Sequence, residues 1–255
     1  MKVEKADKVD ILGCLVDRID MAGAVQKVEE FIAESSPHHI ITLNAEIIHR
    51  AQNDPRLMEI INQAHLVTPD GSGVVWAARY LGAPVPERVT GIDLTLRLAQ
   101  VGAKRGWSFY LYGAAPGIAE AAARNLQEQH PGLKILGTSH GYLSDEEKAA
   151  LINDIAEKKP DILLAALGAP AQEFWIREHL DQLGVPVCMG VGGSFDVISG
   201  KAKRAPAFFQ KAGLEWFYRL IKEPSRMGRM TALPRFSMQV RLRGRSQKTE
   251  NRSQK

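Results

Sequence analysis

The sequence predicts an α/β protein in which helices cover both faces of a mainly parallel β-sheet, with a basic appendage at the C-terminal end. Short apolar runs bounded by turn signals alternate with stretches whose apolar residues recur near a spacing of 3.6. This alternation of strand and helix is typical of a parallel sheet between two helical layers. After Gly200 the alternation stops and arginine becomes frequent, which marks the start of the appendage.

The predicted elements follow one another along the chain. The predicted strands are VDILGCLV, HHIITLN, HLVTPDG, WSFYLYGA, LKILGTS, DILLAALG and VPVCMGVGG. The predicted helices are AGAVQKVEEFIAES, AEIIHRAQNDPRLMEIINQA, GSGVVWAARYLG, PGIAEAAARNLQEQH, SDEEKAALINDIAEKK and PAQEFWIREHLDQLG. Several helix starts carry local signals, such as Asp20 before the first helix and a capping box formed by Ser144 and Glu147. This alternation of strands and helices is Rossmann-like, and sheets of that kind bind ligands outside the C-terminal ends of their strands.

Composition places the chain among ordinary globular proteins, since 45% of its 255 residues are hydrophobic and 24% are charged. Near the N-terminus no long apolar run occurs, so a signal peptide and a membrane span are not expected there and we expect a cytoplasmic protein. The two cysteines, Cys14 and Cys188, stand far apart without CxxC spacing. This argues against a disulfide framework and against a zinc site.

Charge is distributed unevenly along the chain. From Lys201 onward there are 15 Lys and Arg residues against 3 Asp and Glu, whereas the preceding residues carry 18 against 26. A basic block of this kind indicates attraction to a polyanion, either a nucleic acid or an anionic membrane. Aromatic residues are sparse after Tyr218, which disfavours nucleic acid. We therefore expect an α/β domain at 1–200, a membrane-associating appendage at 201–245 and a disordered tail at 246–255.

Polar residues and glycines follow several of the predicted strands and are expected to meet at one edge of the sheet. Backbone N–H groups at helix starts suit a diphosphate, a carboxylate accepts a proton, and side-chain amides suit sugar hydroxyls. The edge is therefore a candidate sugar-nucleotide site. Its candidate residues are Thr42, Asn44, Asp70, Gly113, Gln172, Glu173, Gly193 and Asp196.

Each candidate also has a structural interpretation. Asp70 is either a base that removes a proton from an acceptor hydroxyl or the N-cap of the helix that follows it. Arg88 either neutralises a departing diphosphate or is a solvated surface arginine. Thr42 suits a strand and Asn44 suits a helix cap, while Glu173 in the first turn of a helix gains from the helix dipole in any case.

Several sequence motifs are absent. The turn from Gly113 to Gly117 suits phosphate but is not a GxGxxG fingerprint, which disfavours a dinucleotide-dependent dehydrogenase. No D-x-D, HExxH, GxSxG or Walker A sequence occurs, so a metal-bridged transferase, a zinc protease, a serine hydrolase and a P-loop NTPase lack their expected residues. We expect phosphate chemistry that uses backbone dipoles and arginine, with no metal and no cofactor.

Five ordered motifs resemble one known family. They are TLNAEII, TPDGSGVVWAAR, ERVTGIDL, GAPAQEFWI and GVGGSFDVISGKAKRAP. In this order and spacing they are similar to the WecG/TagA/CpsF family, glycosyltransferase family 26, over about residues 10 to 225. The end of the chain favours the wall teichoic acid branch of that family.

The resemblance implies an inverting, β-1,4-forming transfer of N-acetylmannosamine from its UDP donor to undecaprenyl-diphosphate-GlcNAc. It implies that Asp70 is the base and that Thr42, Arg88 and Gln172 belong to the pocket. Asn44, Gly113, Glu173, Gly193 and Asp196 belong to the matching motifs or lie beside them, so the resemblance supports them less directly. Ala171 stands where many members have lysine, so a phosphate contact by that lysine is not expected here.

The appendage then has a role, because an undecaprenyl acceptor stays in the bilayer. We expect it to hold the protein on the inner face of the plasma membrane, with arginines meeting anionic headgroups or substrate diphosphates. The named arginines are Arg219, Arg226 and Arg229. Open alternatives are an N-acetylmannosaminuronic acid or hexose donor for capsule or exopolysaccharide synthesis and, less favoured, a polyanion-binding module. We expect no nucleic-acid partner. We expect self-association into a homo-oligomer.

Overall fold

The computed structural model describes residues 8–206, 208–209, 215, 217–218 and 232–253. The strands are β1 (Lys8–Ile11), β2 (Cys14–Asp17), β3 (His38–Leu43), β4 (Leu66–Pro69), β5 (Ser108–Gly113), β6 (Lys134–Ser139), β7 (Ile162–Ala166) and β8 (Val187–Gly190). The helices are α1 (Met21–Glu34), α2 (Ala45–Ala51), α3 (Pro55–Gln63), α4 (Ser72–Tyr80), α5 (Gly91–Arg105), α6 (Ile118–Gln129), α7 (Asp145–Lys158), α8 (Ala171–Leu183), α9 (Ser194–Ile198) and α10 (Ala232–Ser253).

Six strands form the central sheet in the order β4-β3-β8-β7-β5-β6, and every neighbouring pair is parallel. Since parallel strands need crossover connections, the helices between them lie on the two faces of the sheet. The predicted fold class is confirmed. The parallel arrangement brings the C-terminal ends of all six strands to one edge.

Along the inner strands of the central sheet, alternate residues enter different cores, as the pleat of a strand requires. Ile40 and Phe109 pack into a core that also contains Val25 of α1 and Leu98 of α5. On the other face, Ile41 packs in a core with residues of α2, α3, α4 and α10, and residues of α7 and α8 cover the other half of that face. Both faces of the sheet are thus buried except at the edge strand β6, where Leu136 is 37% exposed.

The first predicted strand, VDILGCLV, is in fact a hairpin that lies outside the central sheet. Lys8 pairs with Asp17 and Ile11 pairs with Cys14 in the antiparallel register of β1 and β2. The turn residues Leu12 and Gly13 both have positive φ, 54° and 89°, which is the backbone that a two-residue hairpin turn requires. The continuous apolar run concealed this turn.

Two helix predictions also need correction. The single helix predicted from Ala45 to Ala64 breaks into α2 and α3, because Asp54 caps the second helix and Pro55 occupies its first position. The helix α5 was not among the predicted helices. Its N-cap is Thr90, whose hydroxyl accepts a hydrogen bond from the amide of Asp93.

The last helix belongs to the predicted appendage and packs on the α/β domain. Phe236 and Val240 of α10 are buried in the core formed with α2 and α4. The pattern FSMQVRLR, which fits helix or strand, is helical here, and the helix runs to Ser253, into the segment predicted to be disordered. Arg219, Arg226 and Arg229 lie outside the described residues. None of the helices that the structure describes is both long enough and apolar enough to cross a membrane.

Candidate active site

The strand order decides which of the candidate residues meet. Thr42 lies on β3 and Asp70 directly follows β4, and these strands are neighbours. The next strand on the other side of β3 is β8, whose C-terminal end leads into Gly192 and Gly193. Gly113 ends β5, four strands from β4, which corresponds to about 19 Å at the usual strand spacing. The candidates therefore form one group at β4, β3 and β8, with Gly113 at a distance.

Asp70 is half-buried at the C-terminal edge and contacts the start of α5. Its Oδ2 accepts a hydrogen bond of 3.2 Å from the backbone N–H of Gly91, and its own N–H donates to the carbonyl of Leu43. The N-cap position of α4 is taken by Gly71, so the alternative in which Asp70 is itself that N-cap is wrong. Asp70 is thus held between the end of β3 and the start of α5.

Thr42 and Gln172 are both buried and both contact Gly190 at the end of β8. The hydroxyl of Thr42 donates to the carbonyl of Gly190 at 3.1 Å. The amide of Gln172 lies so close to Gly190 that a Cβ there would lie 2.5 Å from Nε2. Gln172 Oε1 also accepts a 2.9 Å hydrogen bond from the N–H of Gly192. The two side chains therefore fix the backbone at the end of β8.

Glu173 lies behind Gln172 and is almost fully buried, with 1% of its surface exposed. Its Oε1 accepts from Gln172 Nε2 at 2.9 Å, whereas Oε2 has no hydrogen-bond partner. Burial raises the pKa of Glu173 to about 7, against smaller lowering effects of the bonds from Gln172 and from its own backbone N–H. The carboxyl group thus orients the Gln172 amide and titrates close to neutral pH.

Arg88 lies in the loop between α4 and α5, two residues before the Thr90 cap. Its Nη1 forms an ion pair of 2.9 Å with Oε2 of Glu215, a residue of the predicted appendage. Only 23% of the Arg88 side chain is exposed. The interpretation as a solvated surface arginine therefore does not describe it.

The remaining candidates have structural roles that the geometry explains. Asn44 caps α2 by accepting from the N–H of Ile47, which is the helix-cap interpretation. Gly193 is the N-cap residue of α9, and Asp196 in that helix pairs with Lys201 at 3.6 Å. Gly113 has a φ of 120° and packs against β7 so closely that any Cβ would clash with the backbone of Ala166.

Sequence reasoning missed four residues near the edge. Arg204 forms ion pairs with Asp93 and Glu215 beside Arg88, and the motif-based search gave these three residues no role in the site because Arg88 and Asp93 are distant in sequence from Arg204 and Glu215. Tyr142 follows β6 with 75% of its surface exposed, next to Gly141, whose N–H donates to the carbonyl of Ala114. An exposed aromatic ring beside a glycine-containing turn is the signal that would have found it.

Within the part of the chain that the structure describes, no three His, Cys, Asp or Glu side chains are grouped as metal ligands. The expectation of metal-independent chemistry stays a prediction. The groups at the edge are the Asp70 carboxylate, the Arg88 guanidinium and the buried Gln172 amide, which together suit proton removal next to a phosphorylated ligand.

Comparison with known proteins supports the resemblance found in the motifs. The model of the "Glycosyl transferase WecG/TagA/CpsF family" matches residues 9–250. The chain belongs to this family. It is 36% identical over 235 residues to an N-acetylglucosaminyldiphosphoundecaprenol N-acetyl-beta-D-mannosaminyltransferase of Staphylococcus aureus strain MW2, covering 91% of this chain and 92% of the relative. The same identity and coverage are found with the enzymes of that name from strains NCTC 8325 / PS 47 and COL.

Membership of the WecG/TagA/CpsF family makes the chain a glycosyltransferase. The match extends beyond the α/β domain and includes most of α10, so the appendage belongs to the family region. The group at β4, β3 and β8 therefore lies in a transferase, at the sheet edge where α/β enzymes bind ligands.

Proposed function

We propose that this chain transfers N-acetylmannosamine from UDP-N-acetylmannosamine to the GlcNAc of undecaprenyl-diphosphate-GlcNAc, with inversion, in the synthesis of the wall teichoic acid linkage unit. The name of the staphylococcal relatives supports the transferred sugar and the acceptor. The observation that carries the assignment to this site is the placement of Asp70, half-buried at the ligand edge and hydrogen-bonded to the start of α5, three residues beyond Arg88.

In the proposed reaction, Asp70 removes the proton from O4 of the acceptor GlcNAc while that oxygen attacks the anomeric carbon of the donor. The bond between that carbon and the diphosphate oxygen breaks, and UDP departs with the electron pair from the opposite face. Arg88 stabilises the charge that develops on the departing diphosphate. Proton removal by a positioned carboxylate contributes about 10² to 10⁴ in rate.

Thr42 and Gln172 act through the backbone at the end of β8 in this proposal. Both are buried and both hold Gly190, and Gln172 also holds Gly192. A fixed strand end presents its N–H and C=O groups in one orientation, which is how pockets of this class position a ligand.

The acceptor is a membrane lipid, and α10 offers a surface that suits contact with a bilayer. Met238 and Leu242 are 57% and 55% exposed and lie one turn apart, while Arg235 and Arg241 are exposed on the same helix. Apolar side chains among arginines are typical of helices that lie in the interface of an anionic membrane. We infer a peripheral position on the inner face of the plasma membrane. When no membrane is bound, we infer that self-association of the protein covers the same residues.

The test measures UDP release from UDP-N-acetylmannosamine in the presence of a short-chain lipid-diphosphate-GlcNAc acceptor. Wild-type protein should release UDP only when the acceptor is present, and Asp70→Asn should lower turnover by at least about a hundredfold. A suitable control is Asp54→Asn, because Asp54 caps α3 and asparagine caps a helix equally well. Turnover that persists in EDTA tests the metal-independent prediction.

The outcomes separate the parts of the proposal. Full activity of Asp70→Asn would remove Asp70 from the mechanism and leave the reaction in place. If folded wild-type protein releases no UDP, the same assay with UDP-N-acetylmannosaminuronic acid and UDP-hexoses tests the other donors. Activity with one of those donors alone would overturn the assignment of N-acetylmannosamine.

A further inference from the structure

Four charged side chains of alternating sign lie in a row at the start of α5, whose Gly91 donates a hydrogen bond to Asp70. Arg88 Nη1 lies 2.9 Å from Oε2 of Glu215, and Nε of Arg204 lies 3.6 Å from Oε1 of the same carboxylate. On its other side, Arg204 pairs with Asp93 through a 2.8 Å hydrogen bond from Nη2 to Oδ2 and a 2.7 Å ion-pair contact between Nη1 and Oδ1. One carboxylate of the appendage therefore lies between two guanidinium groups.

Arg204 is held in a fixed orientation by the first turn of α5. Its partner Asp93 also accepts a 2.6 Å hydrogen bond from the hydroxyl of Thr90, the cap of that helix. Burial raises the pKa of Asp93, but the hydrogen bonds from Arg204 and Thr90 outweigh it and lower the pKa. Asp93 is thus ionised at neutral pH. Gly91 of the same turn donates to Asp70, so Asp70 and Arg204 are anchored on one helix start.

The Nε of Arg204 is a buried donor that has no hydrogen-bond partner. The 3.6 Å that separates it from Glu215 is beyond hydrogen-bond distance, although the charges still attract. A buried donor left unsatisfied is unfavourable, and it is satisfied when an acceptor with more oxygens or more charge takes the carboxylate's place. Guanidinium groups bind phosphate oxygens with the same geometry as carboxylate oxygens.

We propose that Arg88 and Arg204 together form a diphosphate-binding pair and that Glu215 occupies the place of the diphosphate while no ligand is bound. The inference rests on the proposed function and deepens it. It adds Arg204 to the donor site, and it makes Glu215 of the appendage a competitor of the donor diphosphate. A diphosphate with two or more negative charges displaces the single charge of Glu215. Binding of the donor then releases this contact between the appendage and the α/β domain.

The experiment measures the affinity of the full chain for inorganic pyrophosphate, UDP and uridine by isothermal titration calorimetry at low salt. Glu215→Gln removes the competing charge and should bind pyrophosphate and UDP roughly threefold to tenfold more tightly, with uridine unchanged. The matched control is Glu29→Gln, which removes the same charge from a pair with Arg105 on the surface. It should bind all three ligands as the wild type does.

A second variant tests Arg204 directly. Arg204→Gln should weaken pyrophosphate and UDP binding at least about tenfold, and Arg204→Lys, which keeps the charge but loses the planar Nε–H edge, should fall between. Circular dichroism and thermal melting establish that each variant is folded. Because Glu215→Gln makes its prediction by a gain in affinity, misfolding cannot imitate it.

The proposed diphosphate-binding pair is wrong if Glu215→Gln binds pyrophosphate with the same affinity as the wild type. It is also wrong if neither protein binds pyrophosphate or UDP. Wild-type affinity in Arg204→Gln would likewise remove Arg204 from it. Failure of the proposed function gives a different result. If the protein transfers no N-acetylmannosamine but Glu215→Gln still binds pyrophosphate more tightly than the wild type, the arginine pair stands and the proposed donor is rejected. Transfer with unchanged pyrophosphate affinity would reject the pair alone.

Discussion

Thr42 and Gly190 are joined by a hydrogen bond of 3.1 Å from the threonine hydroxyl to the glycine carbonyl, across the neighbouring strands β3 and β8. Gln172 packs on the same glycine from α8. Only 6% of Thr42 and 2% of Gln172 is exposed. These side chains therefore affect a ligand through the strand end that they hold, and substitutions at Gly190 should reproduce the loss of either one.

The first prediction concerns Gly190→Ala. The added methyl group would lie 2.5 Å from Gln172 Nε2 and would displace the amide that bonds to Gly192 and Glu173. Such overpacking costs typically about 1–3 kcal/mol of stability. We expect the variant to fold and its kcat/KM in the UDP-release assay to fall at least about tenfold, because the strand end shifts relative to Asp70.

The control for this prediction is Gly137→Ala. Gly137 is also a strand glycine whose Cβ would collide with a side chain, the ring of Tyr110, but it lies on the edge strand β6. Its melting temperature should fall while the activity of the folded protein stays near that of the wild type. Equal losses of activity in both variants would show that overpacking anywhere in the sheet disturbs the site.

The second prediction concerns Glu173 and the dependence of stability on pH. Because burial raises the folded-state pKa from 4.5 to about 7, the folded protein binds a proton that the unfolded chain has released. The contribution to stability is therefore present below pH 4.5 and is lost as the pH rises through about 7. Relative to the wild type, Glu173→Gln should gain stability between these values, by at most about 3 kcal/mol.

Urea unfolding at pH 4.5, 6 and 8 measures this gain. Glu59→Gln, on the exposed side of α3, is the matched control and should follow the wild-type profile. If Glu173→Gln and the wild type show parallel profiles from pH 4.5 to 8, the carboxyl group does not titrate differently in the folded state and its assignment as a buried acid is wrong.

The third prediction concerns His39, at the opposite end of β3. It is 2% exposed, and neither ring nitrogen has a hydrogen-bond partner. Burial, followed by the nearby His65 and Arg177, lowers its pKa from 6.5 to about 3. The unfolded chain therefore binds a proton that the folded protein excludes, and stability falls as the pH decreases from 6.5 toward 3.

Replacing His39 by leucine should reduce this loss of stability at acid pH. Stability measured by urea unfolding at pH 4.5 should rise relative to the wild type, by up to about 1.4 kcal/mol for each pH unit below 6.5. Part of the slope should remain, since the pKa of His65 is also lowered, chiefly by burial. His130→Leu, at the end of α6, is the control and should keep the wild-type slope. An unchanged slope in His39→Leu would contradict the prediction.

The fold could be predicted because its strongest signals are local. Buried parallel strands read as apolar runs such as HHIITL and ILLAA, and the helices between them carry caps such as Asp20 and Ser144. The β1–β2 hairpin escaped because Leu12 takes a positive φ that leucine seldom adopts. The start of α5, Gly91-Ile-Asp, escaped because its cap Thr90 stands in a loop rich in proline and glycine.

The candidate site could be predicted only in part, because only some of its contacts follow from local sequence signals. The motifs placed Asp70, Thr42 and Gln172 at strand ends, and the parallel sheet brings those ends together. The contacts of Arg204 with Asp93 and of Arg88 with Glu215 join residues that are distant in the chain, and no periodicity encodes them. Gln172 reads as a ligand-facing amide in sequence, but its burial follows from the absence of a side chain at Gly190.

The last prediction concerns the membrane-facing surface of α10. Leu242 is 55% exposed, one turn beyond Met238, on a helix whose Phe236 and Val240 fix the opposite side to the domain. Arg241 lies with its guanidinium 5.7 Å from the Trp76 ring centre, so the helix does not rotate freely to hide Leu242. Leu242→Glu should lower binding to vesicles that contain phosphatidylglycerol at least about tenfold, because it replaces apolar area by a charge that anionic lipid repels.

Vesicle sedimentation at low and high salt measures this effect. Leu136→Glu is the matched control, since Leu136 is 37% exposed on β6, away from the appendage, and the substitution is identical. Wild-type binding should weaken with salt and on pure phosphatidylcholine, because the arginines of α10 act through screened charge. If Leu242→Glu binds as well as Leu136→Glu, the contact with the bilayer is made by another part of the chain and the proposed membrane face of α10 is wrong.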